Sequence, residues 1–379
     1  MNERSYSSIP SPCFVLEENL LRKNLSIIKD VADRADVEII LAFKGFSMWS
    51  VFPIVRESVT GATASSLHEA QLCLEEMKTK AHYYAAAIAE NEFDEIAKIS
   101  SHISFNSLNQ FHQFRDRAIA KGISCGIRVN PEFSEVKQDL YNPASPTSRL
   151  GMTSKHFGEK LPDGMEGIHF HCLFEDSSFT LEKVLNALEE RFGHLLKQVK
   201  WVNMGGGHLI TRKDYDVEHL ITVLKKFKEK WNVHVILEPG SAFAWQTGFL
   251  ISTVLDIVEN GGAKTAMLDT SFTAHMPDCL EMPYKPVVRN ASSEIIPDKP
   301  TYRLGGMSCL SGDFMSEYSF DKELKVDDQI IFEDMIHYTM VKTTTFNGVK
   351  HPSIGMIKSN GEFQLIKEFG YEDYKNRLS

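Results

Sequence analysis

The sequence predicts an α/β chain: a (β/α)8 barrel followed by a smaller, mostly β domain. Three observations point there. Short apolar, β-branched runs alternate with amphipathic helical stretches about eight times before residue 245. Helical periodicity fades after Trp245, and the apolar segments that follow lie between Gly/Pro-rich turns, as strands do. Residues unusual for a strand, one lysine, one arginine, paired histidines, a triple glycine and a carboxylate, gather where the barrel strands end, the face on which such barrels carry their chemistry.

Taken in order, Pro10-Ser11-Pro12 precedes a strand, Cys13 to Leu16, and Glu17-Glu18-Asn19 opens a helix whose apolar residues recur at helical spacing. Val37 to Lys44 is a strand and Trp49 to Val59 a helix. The alternation repeats with strands at Gly61 to Ser66, Ala81 to Ala87, His102 to Ser107 and Ser124 to Asn130, separated by helices beginning at Leu67, Asn91 and Asn109. A long polar segment, Pro131 to Asp163, follows. Gly167 to Cys172, Trp201 to Gly207 and Val233 to Gly240 complete the strands, with helices Leu181 to Gln198 and Tyr215 to Trp231 between them. The barrel is therefore expected over 17–245, and a β domain over 1–16 and 246–379, in which FLISTVLDIVE, TAMLDTSF, DDQIIFED, YTMVKTTTF and FQLIKEF read as strands. A doubly wound open sheet is the rival architecture, since counting strands does not close a barrel.

The 379 residues suffice for two domains, and 42% hydrophobic with 24% charged residues excludes a disordered or fibrous chain. A net charge of −10 disfavours nucleic-acid binding and suits a cationic small substrate. Six scattered cysteines without a CxxC pair argue against a zinc or redox site and for free thiols in a reducing cytosol; no metal centre is expected. The N-terminal MNERSYSSIPSP does not read as a signal peptide, and no stretch approaches the roughly 20 apolar residues of a membrane span. A cytoplasmic location follows as the expectation.

Lys44 closes the apolar run VEIILAF and is followed at once by Gly45. An ammonium at the end of a buried strand loses water, and a lysine so placed is either snorkelling or poised to form a Schiff base. Gly205-Gly206-Gly207 follows the seventh barrel strand, where backbone amides without side chains can approach a phosphate; a tight turn would look the same. Glu238 ends the eighth strand and could pair with a protonated ring nitrogen or simply cap the turn. His169 and His171 alternate on one strand, so both face one side as metal ligands, as a plate against an aromatic ring, or as core residues. Cys309 lies between glycines with Asp313 close by, and Tyr338 follows an acidic pair.

Together, AFKG at Lys44, HFH at His171, GGG at Gly205, EPG at Glu238, SCLSGD at Cys309 and HYT at Tyr338 resemble, in the same order and over nearly the whole chain, the fold-type III decarboxylases that use pyridoxal 5'-phosphate. That family includes ornithine, arginine and diaminopimelate decarboxylases, with alanine racemase more distant. LAFKGF, FNSLNQFHQF, YNPASPTSRLGM, WVNMGGGHLIT, LDTSFTAHMPDCLEMPY, SGDFMSEYSFD and TTTFNG are similar to its carboxynorspermidine/carboxyspermidine decarboxylase branch. The resemblance implies an alanine racemase-like barrel that binds pyridoxal phosphate, a cytosolic homodimer with shared active sites, and release of CO2 from carboxyspermidine or carboxynorspermidine to give spermidine or norspermidine. It implies Lys44 as the covalent anchor and His171 stacked on the ring. Glu238 falls on the pyridine nitrogen, Arg128 near the ring, and Gly205, Gly206, Gly207, Gly240 and Tyr338 on the phosphate. Cys309 becomes the proton donor from the other subunit, beside Asp313, with Arg149 as that aspartate's partner across the interface. Leu310 and Ser241 stand where ornithine and diaminopimelate enzymes carry an acidic residue and an arginine, which argues against those substrates. Several ammonium groups on a flexible chain call for spaced carboxylates, so Glu175, Asp278 and Asp313, with Ser241, are the candidate substrate contacts. Decarboxylation of another basic amino acid, racemisation and a non-catalytic pyridoxal phosphate carrier are the alternatives.

Overall fold

The structure, a computed structural model, describes residues 6, 8–136 and 142–379. Most of the N-terminal segment bearing on the signal-peptide expectation, and Tyr141 at the head of YNPASPTSRLGM, lie outside the described residues. The chain divides into two compact units, Lys23–Phe243 and Met1–Arg22 with Ala244–Ser379. It enters through β1 (Cys13–Glu17) and α1 (Glu18–Ala35).

In the Lys23–Phe243 unit, β2 (Glu38–Ile39), β3 (Leu41–Ala42), β4 (Ala62–Ala64), β5 (Ala81–Tyr84), β6 (Ser100–Phe105), β7 (Ser124–Arg128), β8 (Met165–His169), β9 (Trp201–Asn203) and β10 (His234–Leu237) pair in parallel. The order runs β2-β10-β9-β8-β7-β6-β5-β4-β3. Its two ends are one strand interrupted at Ile40. The Ile40 amide donates to Leu237 O (2.9 Å) and the Leu41 amide to Gly61 O (3.1 Å), so the sheet closes on itself. The barrel expected from the sequence is the fold, and closure rules out the open doubly wound sheet.

Trp201 packs with Ile40 and Ile236 inside the barrel. It lies across two glycines on neighbouring strands: a Cβ on Gly126 would come within 2.3 Å of the indole, and one on Gly167 within 2.0 Å. The indole N–H donates to Ser124 Oγ (2.8 Å), whose hydroxyl donates to Glu166 (2.7 Å). At the N-terminal mouth, the His82 and His102 rings lie against each other, tilted by 34° with centroids 4.1 Å apart, and His234 contacts Glu38 at 2.8 Å.

At the C-terminal mouth the strand-to-helix turns are stiffened by side-chain caps. Ser66 accepts from Glu69 N–H before α3 (Leu67–Leu72), and Ser107 from Gln110 N–H before α5 (Leu108–Ala120). Ser177 and Asp216 do the same for α6 (Ser178–Leu196) and α7 (Val217–Trp231). Each such cap fixes an otherwise unpaired amide and is worth about 1 kcal/mol. The helix expected over Trp49 to Val59 shrinks to a turn, Trp49–Val51, and α2 (Phe52–Val55). Pro53 can begin a helix but not continue one, and Val55 and Val59 are weak helix formers.

In the other unit, β11 (Gly248–Asn260) is the central strand. β1 lies between it, antiparallel, and β17 (Ser353–Ile357), parallel. β12 (Ala263–Leu268), β14 (Thr301–Gly305) and β15 (Phe314–Phe320) extend the sheet, and β16 (Gln329–Glu333) pairs along β11. The strand expected at YTMVKTTTF is absent. Met340–Lys342 is a tight helical turn, because the Thr339 hydroxyl donates to Asp278 (2.8 Å) and the Thr344 amide to Ala274 O (2.7 Å), drawing the backbone out of any ladder.

Two outcomes follow. Gly167→Ala pushes a methyl into Trp201 and is expected to cost about 1–3 kcal/mol, read as a lower urea midpoint with an unchanged slope. His82 is held neutral by burial, then by His102, with its pKa pushed down from 6.5 to about 3. The unfolded chain therefore takes up this proton first, and folded-state stability falls as pH drops below about 6.5, down towards about 3. His82→Gln should flatten that slope in urea titrations between pH 6.5 and 4; an unchanged slope would assign the acid sensitivity elsewhere.

Candidate active site

A pocket of about 320 Å³ opens at the C-terminal mouth of the barrel, with Lys44, Arg128 and His171 on its floor and Tyr84, Arg149, Leu150, Leu173 and Phe174 in its walls. Lys44 is open to this pocket, yet protein surrounds its amine on all other sides. Burial, then the nearby Arg128 guanidinium, lowers its pKa from the ordinary lysine range, against the pull of Glu238 and Glu69. Lys44 Nζ lies 3.5 Å from His171 Nε2. His171 Nδ1 is 2.9 Å from the Gly206 amide nitrogen and 3.0 Å from its carbonyl oxygen, so either tautomer is held. Burial, then Lys44 and Arg128, keeps this imidazole neutral.

Glu238 is buried at the end of β10. It accepts from the Asn203 amide (2.6 Å) and stands 3.6 Å from His169 Nε2. Burial raises its pKa, opposed first by the Asn203 hydrogen bond. Asn203 Oδ1 accepts from the Gly205 amide (2.8 Å), which ties the carboxylate to the glycine turn. Gly205 and Gly207 have φ of +69° and +86°, and a Cβ on Gly206 would meet Glu238 O at 2.5 Å. The glycines are thus required by the turn's conformation and by its close approach to the neighbouring strand.

Arg128 is buried. Its guanidinium lies 4.6 Å from the Tyr84 ring centre and donates from Nη2 to His171 O (3.3 Å), while its Nε finds no hydrogen-bond partner among the described residues. Asn106 braces this wall: it accepts from the Tyr84 hydroxyl (2.9 Å) and the Gly151 amide (2.7 Å), and donates to Arg149 O (2.9 Å). A larger groove of about 550 Å³ lies at the other rim, around Asp36, Lys228 and His234. Asp36 and Lys228 pair directly with each other there, and no comparable constellation forms.

These residues fit a pyridoxal phosphate group. A lysine that loses its proton readily can bond a carbonyl carbon, and a buried carboxylate suits a ring nitrogen. An orphaned guanidinium N–H awaits an oxygen, and a flat neutral imidazole can face a ring. Among the described residues no group of three His, Cys, Asp or Glu side chains gathers as metal ligands.

The strand-end residues singled out from the sequence are thus distributed. Lys44, Arg128 and His171 share one pocket, with Glu238 and Gly205 to Gly207 tied to it by the bonds above. Gly240 packs on Gly45, where an added Cβ would come within 2.8 Å of Gly240 Cα. Glu175 sits just past the wall residue Phe174, its carbonyl accepting from Arg212 (3.1 Å), and Ser241 is buried at the start of α8 (Ser241–Ala244). Cys309, Asp313, Asp278 and Tyr338 belong to the other unit. There Asp278 accepts from Tyr284 (2.6 Å) and Thr339, and Asp313 from the Thr273 (3.0 Å) and Ser308 (3.1 Å) amides. Cys309 is exposed, whereas the other five cysteines are buried, all as free thiols. Sequence reasoning missed Glu69, Tyr84 and Asn203. Glu69 carries a signal, Ser66-x-x-Glu69, but it reads as a helix cap. The other two show only as ordinary strand residues.

The family model described as "Pyridoxal-dependent decarboxylase, C-terminal sheet domain" matches residues 28–336. A carboxyaminopropylagmatine decarboxylase from Synechocystis is 51% identical over 98% of this chain and 96% of its own length. A carboxynorspermidine/carboxyspermidine decarboxylase from Campylobacter jejuni is 45% identical over 98% and 99%. The crystal structure of a Campylobacter jejuni carboxynorspermidine decarboxylase complexed with norspermidine superposes with a TM-score of 0.91 at 44% identity, covering 97% of this chain and all of that one. A diaminopimelate decarboxylase from Helicobacter pylori, 16% identical with a TM-score of 0.84, shares the fold.

The charges around Lys44 set a pH dependence. Replacing Arg128 by Met removes a like charge, so the Lys44 pKa should rise and the curve for covalent capture of pyridoxal phosphate should move to higher pH. Glu238→Gln should move it the opposite way. Absorbance titration of the cofactor-free protein reads both, and coincident curves would remove these two residues from the lysine's electrostatics.

Proposed function

The chain belongs to the pyridoxal-dependent decarboxylases, and from that premise we propose that it releases CO2 from a carboxylated triamine, carboxynorspermidine or carboxyspermidine, in polyamine biosynthesis. It is a carboxy-lyase that uses pyridoxal 5'-phosphate. The observation that carries the reading is the meeting of Lys44, His171 and Arg128 in one pocket with Glu238 behind it. The 45% identity to the Campylobacter jejuni relative supports the substrate class.

The cofactor supplies an electron sink for the pair left by departing CO2. Lys44, whose pKa burial lowers, would provide the amine that holds the cofactor. Glu238 would face the ring nitrogen and favour a positive charge there, and the Asn203 hydrogen bond opposes the rise in pKa that burial causes. His171 covers the ring without adding a second charge. Gly205, Gly206, Gly207 and Gly240 would hold the phosphate through a turn free of side chains, and Arg128 would offer its unsatisfied N–H to an oxygen beside the ring.

Cys309 returns a proton to the substrate carbon in the site of a second copy of the chain. The exposed apolar side chains Met307, Leu310, Phe314 and Phe346, close to Cys309 in the chain or through Asn347, support burial of this face in a homodimer. Glu175 and Ser241 would face the substrate's cationic chain, and Asp313 shapes the Cys309 loop through the Ser308 and Thr273 amides. No helix among the described residues is long and apolar enough to cross a membrane, and free thiols are in keeping with a cytoplasmic enzyme.

A second reading follows from the Synechocystis relative: a carboxylated aminopropylagmatine, whose far end is a guanidinium, is the substrate. Both are tested by CO2 release from the three carboxylated polyamines, with ornithine and diaminopimelate as controls. One carboxylated polyamine should exceed the controls in kcat/KM by on the order of 100-fold or more. Lys44→Ala should lower turnover on the order of 1,000-fold and abolish borohydride tagging of the protein by the cofactor. Normal turnover in that variant, or preference for ornithine or diaminopimelate, would refute the assignment.

A further inference from the structure

The loop that carries Cys309 is pinned at its base by its own strands. The Gly306 amide donates to Asp313 O (2.7 Å), the Met307 amide to Thr270 O (2.9 Å), and Asp313 takes the Ser308 and Thr273 amides on its two carboxylate oxygens. At the tip the anchor comes from a distant segment: the Cys309 amide donates to Asn347 Oδ1 at 2.8 Å. Asn347 stands in a turn with φ +56°, next to Gly348 at +70°. That turn is itself held by the C-terminal helix α11 (Tyr371–Lys375) and the residues after it. The Tyr374 ring lies against Gly348, where an added Cβ would come within 3.2 Å, and Arg377 Nε donates to the buried Thr345 hydroxyl (3.0 Å).

We infer that Asn347 is a positioning residue for the reaction: it fixes the height and direction of the Cys309 thiol, and the C-terminal helix fixes Asn347. The inference rests on the reading of Cys309 as the proton donor. A group that must deliver a proton to carbon works only within hydrogen-bond reach of its target, and misplacement by about 1 Å costs on the order of 100-fold. A short side chain bonded to the thiol's own backbone amide controls that placement without touching substrate. The left-handed backbone explains why the residue is asparagine, which tolerates positive φ and still offers an acceptor.

The test uses the holoenzyme and two substitutions that suit the same backbone. Asn347→Gly accepts φ +56° without strain but deletes the acceptor, and Asn347→Asp keeps both. Hydrogen exchange of the Cys309 amide should quicken in Asn347→Gly and stay slow in Asn347→Asp. Turnover should follow, with kcat down on the order of 10-fold and KM within about 2-fold of wild type for Asn347→Gly, and kcat restored in Asn347→Asp. Unchanged exchange in Asn347→Gly overturns the anchor. Faster exchange with an unchanged kcat overturns its role in the reaction. Cys309→Ala, assayed in parallel, separates the two claims: wild-type turnover there refutes the proton-donor reading, while the exchange result still decides whether Asn347 holds the loop.

Discussion

The barrel's chemistry depends on how one strand closes it. From Ile40 to Phe43 successive amides alternate between neighbours: Ile40 and Ala42 donate to Leu237 and Pro239, Leu41 and Phe43 to Gly61 and Thr63. A strand bonded on both sides cannot shift register without breaking two ladders, so the residue that follows it is delivered to a fixed point. That residue is Lys44. The turn beyond it is equally constrained, because Gly45 and Gly240 pack backbone to backbone: a Cβ on Gly45 would come within 2.8 Å of Gly240, and one on Gly240 would be tight at 3.0 Å. The lysine and the carboxylate of Glu238 are therefore placed by adjacent strand ends and by a contact between two glycines, not by side-chain packing that could drift.

The pocket then faces an electrostatic problem. Lys44, Arg128 and His171 line one pocket and His169 lies buried against Glu238 behind it, with Glu238 buried and Glu69 half-buried as the nearby carboxyl groups. Full ionisation would leave four positive charges against two negative ones. Burial relieves this. Both imidazoles are held neutral, the lysine gives up its proton more readily, and the Arg128 guanidinium packs over the Tyr84 ring. What is left is an amine that loses its proton more readily than an ordinary lysine and a flat neutral imidazole, close to the buried carboxyl of Glu238. A ring with one protonatable nitrogen and one electrophilic carbon meets both needs together, which is the physical content of the fit.

Much of this could be read from the sequence because the barrel repeats its signals. Each strand is a short apolar run, each helix is amphipathic, and a closed parallel sheet puts unusual residues at strand ends where they stand out, as Lys44, Arg128 and Glu238 do. What could not be read depends on tertiary partners. Val55 and Val59 sit at helical spacing, yet Pro53 and weak propensity leave four helical residues there. Thr339 and Thr344 look like strand residues, but a buried carboxylate and a distant carbonyl claim them. Tyr84 and Asn203 owe their importance to neighbours far along the chain, Asn106 and Glu238, so no local pattern marks them. The same holds for Asn347: TTTFNG carries a family resemblance, but nothing local in it points to the Cys309 amide.

The two units divide the work in a way that explains these differences in legibility. Lys44, Arg128 and Glu238, the groups proposed to hold the cofactor, sit at strand ends, where register fixes them and the sequence period reveals them. The proposed proton donor sits on a loop, and a loop has no ladder to fix it. Its position must be supplied by side chains that reach in from elsewhere: Asp313 at the base, Asn347 at the tip, and Tyr374 and Arg377 behind Asn347. Each link is a single hydrogen bond or ring contact worth about 1 kcal/mol, too weak to set the fold yet strong enough to bias a loop among positions about 1 Å apart. Precision at the thiol thus comes from a relay of small contacts that ends in the chain's last helix, and it can be lost with little loss of stability.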